Sequence, residues 1–454
     1  MKLTGFQWIV ISSVLTAGVA VAATRPHYGG TLHIQMASTV STLDPTDSNQ
    51  VKTLAARNLF ALIFDTLVVL NDRGEPQPGL AISWHAEPGN QSWQFVMRPG
   101  VRFSDQTQVT PELVAVALRR ANPQWKVTAS DTTIAIQLDA PSPNLPSEIA
   151  SARNGIAKVD AGKLIGTGPF VVSEWDAGKK LVLTAREDYW GGRPFLDSVE
   201  IEMARGFHDQ TIAHETGQAQ LIEVPPELAH QATLAGEVHA SEPTELVALL
   251  FARDVQSPED AKQRQALSLS IDRAMLNRVV FQGGGEPAGG LLPGWLSGYG
   301  FLFTVKADLP RAQQLRAEVP QAPLWSLGFD ANDPLARLLA QRIALNANDA
   351  GLRLQLANQS NPDIRLVRVG LVSLDSHLAL AEVSKSLGIP APHFLGNSAD
   401  DLYHAENAML QSQRVIPLLH LETAWAVSKT VRNWEDTGDG TWQVPDVWLT
   451  TGKP

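Results

Sequence analysis

Residues 165–203 contain three short segments in which apolar and polar side chains alternate, and turn residues separate the segments. The segments are 170–175, 180–185 and 196–203. Alternation with a period of two places successive side chains on opposite faces of a β-strand. Connections this short join antiparallel neighbours rather than parallel ones. The block therefore predicts an antiparallel meander with one buried face, against which other parts of the chain must pack.

The first corner of this block is Gly166-Thr167-Gly168. Glycine-rich turns can cradle phosphate groups, but a phosphate loop requires a helix start whose N–H groups point at the ligand. Pro169 and an alternating pattern follow here instead. We interpret the corner as a tight scaffold turn, in which glycine allows close backbone approach.

The remainder of the chain predicts helices and strands in α/β order. Residues 31–36 alternate as a strand does, and residues 51–70 carry apolar side chains at helical spacing. Thr110-Pro111-Glu112 has the residue types of a helix start: an N-cap, a first-turn proline and an acid. Residues 322–356 follow the pattern strand, helix, strand, with Gly351 ending the helix. The predicted fold class is α/β.

The chain has 454 residues, which is too long for one ordinary core and predicts two or three lobes. Residues 1–23 place Lys2 before an apolar run that ends in Val21-Ala22-Ala23, as in a secretory signal peptide. An uncleaved membrane anchor is the alternative. We expect an exported periplasmic protein, released after cleavage of the signal.

The chain contains no cysteine. Disulfides, a thiol nucleophile, a thiolate metal site and a lipid-modified cysteine are therefore excluded, so we do not expect a lipoprotein. The net charge of −11 argues against nucleic acid as a partner.

No pattern in the sequence indicates catalysis or a metal site. A Gly-x-Ser-x-Gly elbow and an HExxH motif are both absent. His208 and His214 are six positions apart, a spacing that suits neither one helix face nor adjacent positions on a strand face. We predict a protein that is not an enzyme, with no catalytic residues, no metal ligands and no cofactor.

Four motifs in chain order resemble the family 5 extracellular solute-binding proteins, the dipeptide-, oligopeptide- and nickel-binding components of ABC importers. They are GGTLHIQM…TLDP, LAISWHAEPGNQSWQFVMRPGVRFSDQTQVTPELV, LIGTGPFVVSEWDAGKKLVLTAREDYWGGRPFLDSVEI and RQALSLSIDRAML. The resemblance spans nearly all of residues 28–420. It implies a two-lobed, type II-like periplasmic binding protein with an additional family-specific domain. The implied domains are lobe I at 24–54, 158–243 and 426–454, the extra domain at 55–157, and lobe II at 244–425.

The resemblance also implies a function. The protein would capture a small peptide or peptide-like solute in a cleft between the lobes and deliver it to ABC permease subunits, acting as a monomer. One segment departs from the family: residues 363–380 keep Arg-x-Gly but lack the Trp and the Ala-Asp-Tyr loop that normally follow. Two alternatives therefore stay open. They are a regulatory binding protein that no longer transports, and a binder of a nickel complex, haem or an oligosaccharide.

The candidate ligand-binding residues come from two segments. Arg368 lies in an otherwise apolar strand, with Gly370 on the same face. A buried Arg requires a carboxylate partner, which could be a peptide C-terminus or simply Asp363 or Asp375. The resemblance places residues 49–51 at the cleft edge, where an ordinary solvated turn is the alternative. The predicted ligand-binding set is Asn49, Gln50, Val51, Arg368, Val369, Gly370, Leu371 and Asp375, with Asp375 facing an amine.

Overall fold

The computed structural model describes residues 26–229, 238–321, 324–331, 333–357 and 361–450. The predicted signal peptide lies outside the described residues. Within these ranges, no helix has both the length and the apolar character that crossing a bilayer requires.

Helices and strands alternate along most of the described chain. The α-helices with both ends in the described ranges are Leu54–Ile63, Pro111–Ala121, Leu145–Ile149, Phe207–Glu215, Pro258–Ser270, Arg273–Val280, Gly294–Ser297, Leu309–Ala317, Pro334–Asp349, Ser376–Leu387 and Ala399–Gln411. Most strands belong to three sheets. Three two-stranded ribbons are separate from these sheets: Val68–Leu70 with Pro76–Pro78, Ala157–Asp160 with Lys163–Gly166, and Val431–Arg432 with Trp448–Leu449.

The first sheet contains the predicted meander. Its strands, in spatial order, are Phe170–Asp176, Lys180–Ala185, Ser198–Glu202, Thr31–Gln35, Leu221–Val224, Ala424–Val427 and Val238–Ala240. The first three pair antiparallel, which confirms the meander, and Thr31–Gln35 then adds in parallel to Ser198–Glu202. The alternating residues Leu32, Ile34, Leu181, Leu183, Val199 and Ile201 are fully buried in the core on one face.

The second sheet forms the centre of the other lobe. Its strands, in spatial order, are Gly285–Pro287, Val415–Leu421, Glu245–Phe251, Ile364–Gly370, Leu324–Gly328 and Arg353–Leu356. Helix Pro334–Asp349 connects the parallel strands Leu324–Gly328 and Arg353–Leu356, as the pattern at 322–356 predicts. Separate hydrophobic cores cover the two faces of this sheet.

A third sheet lies within residues 55–157. It pairs Ala81–Ala86, Ser92–Met97, Thr133–Gln137 and Lys126–Ser130, and helix Pro111–Ala121 shares its core. The helix Leu54–Ile63, in contrast, buries its side chains in the core of the first sheet. The division into domains stays a prediction. The packing of helix Leu54–Ile63 argues for placing the border between lobe I and the extra domain after Ile63 rather than after residue 54.

The helix predicted over residues 51–70 is shorter than the apolar spacing indicates. It ends at Ile63, because Phe64 is extended (φ −129°, ψ 134°), and Val68–Leu70 is a strand. The Asp65 N–H donates to Thr167 Oγ1 (3.0 Å), and the Gly168 N–H donates to Ile63 O (2.9 Å). The helix therefore ends where the Gly166-Thr167-Gly168 corner crosses it, a contact that the local spacing does not reveal. This arrangement agrees with the scaffold interpretation of the corner.

The described chain crosses between the first two sheets at two adjacent segments, 241–244 and 422–423. The Ser241 N–H donates to Thr423 O (2.9 Å), and the Thr244 N–H donates to Leu421 O (2.8 Å). Two short neighbouring connections between separately packed lobes have the form of a hinge.

Candidate ligand-binding cleft

A cavity of about 470 Å³ lies beside the hinge, and we call it the hinge cavity. Residues 52–55, Arg57 and Glu223 line it from the first lobe, while Glu245 and residues 368–370 line it from the second. Because both lobes form its walls, a ligand held here would be enclosed when the lobes approach each other.

A second cavity of about 560 Å³, which we call the junction cavity, extends towards the extra domain. Helix Leu54–Ile63 lines it, together with residues 69–72 of the extra domain, residues 372–374 of the second lobe and the segment 437–445. Arg57 lines both cavities. The two spaces therefore adjoin at the side chain of Arg57.

Arg57 is a buried cation with little compensation. It is 7% exposed, and its Nε has no hydrogen-bond partner among the described residues. Burial lowers the pKa of Arg57, and the charge of Asp439 acts in the opposite direction. The Asp439 carboxylate itself accepts hydrogen bonds from the Thr441 hydroxyl (2.7 Å) and the Thr441 N–H (3.1 Å).

The start of helix Leu54–Ile63 also faces the hinge cavity. Thr53 caps the helix and accepts from the Ala56 N–H (3.2 Å), and residues 52–55 line the cavity wall. The first N–H groups of a helix and its dipole make this end electropositive. Lys52 adds a full positive charge to the same wall.

Arg368 lies at the hinge cavity, but its charge is balanced within the protein. Its guanidinium forms an ion pair with Glu245 (Nε to Oε2, 3.0 Å) and a longer one with Asp333 (Nη1 to Oδ2, 3.4 Å). Burial lowers the pKa of Arg368, but the two carboxylates outweigh it, so the pKa lies above its ordinary value.

The sequence suggested Asp363 or Asp375 as the internal partner of Arg368, and this was wrong. Glu245 takes this role because its strand pairs antiparallel with that of Arg368, so that Glu245 opposes Gly370 and Val247 opposes Arg368. Residues two positions apart on paired strands are diagonal neighbours on one face. Asp363 accepts from the Ser326 hydroxyl (2.7 Å) instead.

The other predicted residues of the second lobe are spread over different surroundings. Val369 and Leu371 are buried in a core of the second lobe, and Val369 and Gly370 border the hinge cavity. A Cβ on Gly370 would lie 3.3 Å from Lys52 O of the first lobe, so the two lobes approach closely here. Asp375 caps helix Ser376–Leu387 by accepting from the His377 and Leu378 N–H groups (3.0 and 3.1 Å).

Residues 49–51 lie in the turn before the first helix. The Asn49 N–H donates to Asp47 Oδ1 (2.9 Å), Gln50 Oε1 accepts from the Ser41 N–H (3.2 Å), and Val51 packs against the first core. The turn reaches the hinge cavity through Lys52 and Thr53. Ligand contact by residues 49–51 stays a prediction.

The sequence interpretation missed Arg57 and Lys52. The available signal is that Arg57 stands in an apolar helix with no acidic residue three or four positions away. Such a residue has no ion-pair partner on its own helix face.

The region of the third sheet also contacts the second lobe beside the junction cavity. Asn397 Nδ2 donates to Asn144 Oδ1 (3.2 Å), and a Cβ on Gly74 would lie 2.4 Å from Leu374 O. Asp375 lines a cavity of about 360 Å³ beside this contact. Loss of this contact would free the third-sheet region to move away from the second lobe.

Gly74→Ala is expected to weaken this closed arrangement, because the added methyl group meets the Leu374 carbonyl. Gly100→Ala is the matched control, since its φ of +78° is close to the +74° of Gly74 and its Cβ would meet nothing within 4 Å. Both variants carry the backbone strain of a left-handed alanine, about 1 kcal/mol. The chain contains no cysteine, so two cysteines can be placed at this contact without side reactions. With Asn144→Cys and Asn397→Cys added to each glycine variant, the rate of cross-linking by a short bis-maleimide reports how often the contact is closed. Equal rates in the two glycine variants would contradict the prediction.

Two separately packed α/β lobes around a hinge cleft define a two-lobed ligand-binding protein. Residues 75–373 match the bacterial extracellular solute-binding proteins, family 5 (middle region), and the chain belongs to this family. The family resemblance and the two-lobed α/β fold class predicted from the sequence are thereby confirmed.

Individual relatives agree with this assignment. The periplasmic murein peptide-binding protein MppA of Escherichia coli is 28% identical over 284 residues, 52% of each chain. The chain therefore spans about half the length of the curated relatives it matches. A dipeptide-binding protein from Pseudoalteromonas in complex with Met-Leu has a TM-score of 0.76 at 16% identity, over 93% of this chain and 100% of the other. NikA from Staphylococcus aureus with Ni(L-His)2 has a TM-score of 0.74 at 18% identity, over 92% and 100%. These structural similarities show a common fold.

Proposed function

We propose that this chain is the periplasmic solute-binding protein of an ABC importer and that it binds rather than catalyses. It captures a peptide-like solute between its lobes and presents the closed form to permease subunits. The observation that carries the proposal is the hinge cavity, whose walls come from both lobes of a family 5 protein. The names of the similar proteins, a murein peptide-binding protein and a dipeptide-binding protein, support the peptide class.

An open strand edge beside the cavity suits a peptide backbone. Strand Ile364–Gly370 pairs along its length with Glu245–Phe251, but its other neighbour, Leu324–Gly328, reaches only Ile364 and Arg365 among the described residues. Residues 368–370 line the cavity, and Leu324–Gly328 does not pair with the strand at these positions. An extended peptide can add to such an edge through main-chain hydrogen bonds.

The test is thermal unfolding of the mature protein after ligand has been removed by unfolding and refolding. Pools of di- and tripeptides should raise the melting temperature, because a ligand at 100 times its Kd stabilises the native state by about 2.7 kcal/mol. Pools of sugars and nickel–histidine complexes serve as the comparison. A response to one of these pools but not to peptides would overturn the peptide class, and no response to any pool would overturn the proposal as a whole.

A further inference from the structure

The most unusual charge in the cleft is that of Arg57. A buried guanidinium normally forms ion pairs and hydrogen bonds, because removing a cation from water is costly. Arg57 is 7% exposed, its Nε lacks an acceptor among the described residues, and it stands where the two cavities adjoin. The side chain of Arg57 therefore borders space that a ligand can occupy.

The surroundings of Arg57 reinforce its positive charge. Residues 52–55 and Arg57 form one wall, which combines the Lys52 ammonium, the N-terminus of helix Leu54–Ile63 and the guanidinium. Helix N-termini favour anions through their free N–H groups and dipole. The positive groups of this wall all belong to the first lobe.

The carboxylates that border this wall have partners of their own, and Glu422, which also lines the hinge cavity, is among them. Glu223 accepts from the Ala37 N–H (2.8 Å), the Ser38 N–H and the Ser38 hydroxyl (both 3.0 Å). Glu245 pairs with Arg368, and Asp439 is bonded by Thr441. Arg368 thus has two ion-pair partners, whereas Arg57 forms no ion pair among the described residues and feels only the more distant charge of Asp439.

We propose that Arg57 binds a carboxylate of the solute and that Lys52 and the helix N-terminus add to the attraction. The proposal rests on the proposed function and narrows it to solutes with a free carboxylate. The anion is held by the first lobe alone, so binding there precedes hinge closure. Arg368 keeps its pairing with Glu245 and does not neutralise the solute.

The experiment compares tripeptide pools that carry a free C-terminal carboxylate with the same pools amidated at the C-terminus. In the wild-type protein, the free-acid pool should raise the melting temperature more than the amidated pool. Arg57→Met should reduce the free-acid shift to the level of the amidated one, without lowering the melting temperature of the ligand-free protein. Arg273→Met is the control, since Arg273 is also a buried arginine but lines neither cavity and donates to Pro417 O (2.8 Å). It should lower the ligand-free melting temperature, because Pro417 O loses this donor, yet retain the difference between the pools.

The outcomes separate this inference from the proposed function. Equal shifts with the free-acid and amidated pools would overturn the inference and leave peptide binding intact. A shift with citrate or glutarate that requires Arg57, without any peptide response, would overturn the peptide class and support the anion site. If the free-acid pool kept its larger shift in Arg57→Met, the carboxylate would bind elsewhere and the inference would be overturned. Arg57→Gln provides the same comparison if Arg57→Met does not fold.

Discussion

Gly166→Ala is expected to lower the free energy of unfolding by on the order of 3 kcal/mol or more, because no space exists for a methyl group at this corner. A Cβ on Gly166 would lie 2.0 Å from Ile63 O and 2.7 Å from the Phe64 ring. The nearest obstacle is a backbone carbonyl, which cannot move aside as a flexible side chain can. Relief requires separating the end of helix Leu54–Ile63 from the corner, where the Gly168 N–H donates to Ile63 O (2.9 Å).

Thermal unfolding followed by circular dichroism measures this effect. Gly294→Ala is the control, since its Cβ would meet nothing within 4 Å and its φ is not positive. The control should melt close to the wild-type temperature, and Gly166→Ala well below it. If the two variants melted together, the corner would be more adaptable than its contacts indicate, and the scaffold interpretation would be wrong.

Glu406→Leu is expected to destabilise the second lobe by on the order of 3–5 kcal/mol, because it leaves buried hydrogen-bond donors without an acceptor. Glu406 is fully buried. Its carboxylate accepts from the N–H groups of Leu291 and Leu292 and from the Tyr299 hydroxyl (2.7 Å). A leucine side chain fills similar space but accepts none of these bonds.

Glu406→Gln separates the hydrogen bonds from the charge. Burial raises the pKa of Glu406 in the folded state. At a pH between the ordinary and the raised pKa, the folded state therefore binds more protons than the unfolded state. The stability of the protein falls as the pH rises through this window. The amide oxygen can still accept from both N–H groups, and the variant carries no charge. At pH 7, its free energy of unfolding should lie within about 1 kcal/mol of the wild type or above it. Equal losses in Glu406→Leu and Glu406→Gln would show that the carboxylate charge itself is required.

Local patterns predicted much of this fold. The alternation in 170–203 specified three strands, and Thr110-Pro111-Glu112 specified a helix start that the structure places at Pro111–Ala121, with Thr110 as its cap. These signals succeed because strand alternation and helix capping depend on neighbours a few positions away. The apolar spacing at 51–70 failed at its C-terminal end, because the helix stops where a segment a hundred positions later crosses it.

The candidate site was less predictable than the fold. Arg368 and Gly370 line the hinge cavity as expected, but the partner of Arg368 depends on the pairing of two strands more than a hundred residues apart. Asp375 follows a local rule instead and caps a helix. Arg57 was missed because its burial results from the way the first helix packs between lobes.

The sequence by itself determined the family, the α/β class and the order of the strands and helices, since these follow from short-range periodicity and from motifs read along the chain. Only the tertiary structure decided which charges remain available in the cleft. A charged side chain is balanced or unbalanced according to what lies within a few ångströms of it, and strand register and lobe packing set those distances. This is why Glu245 balances Arg368, and why Arg57 borders the cleft without an ion pair among the described residues.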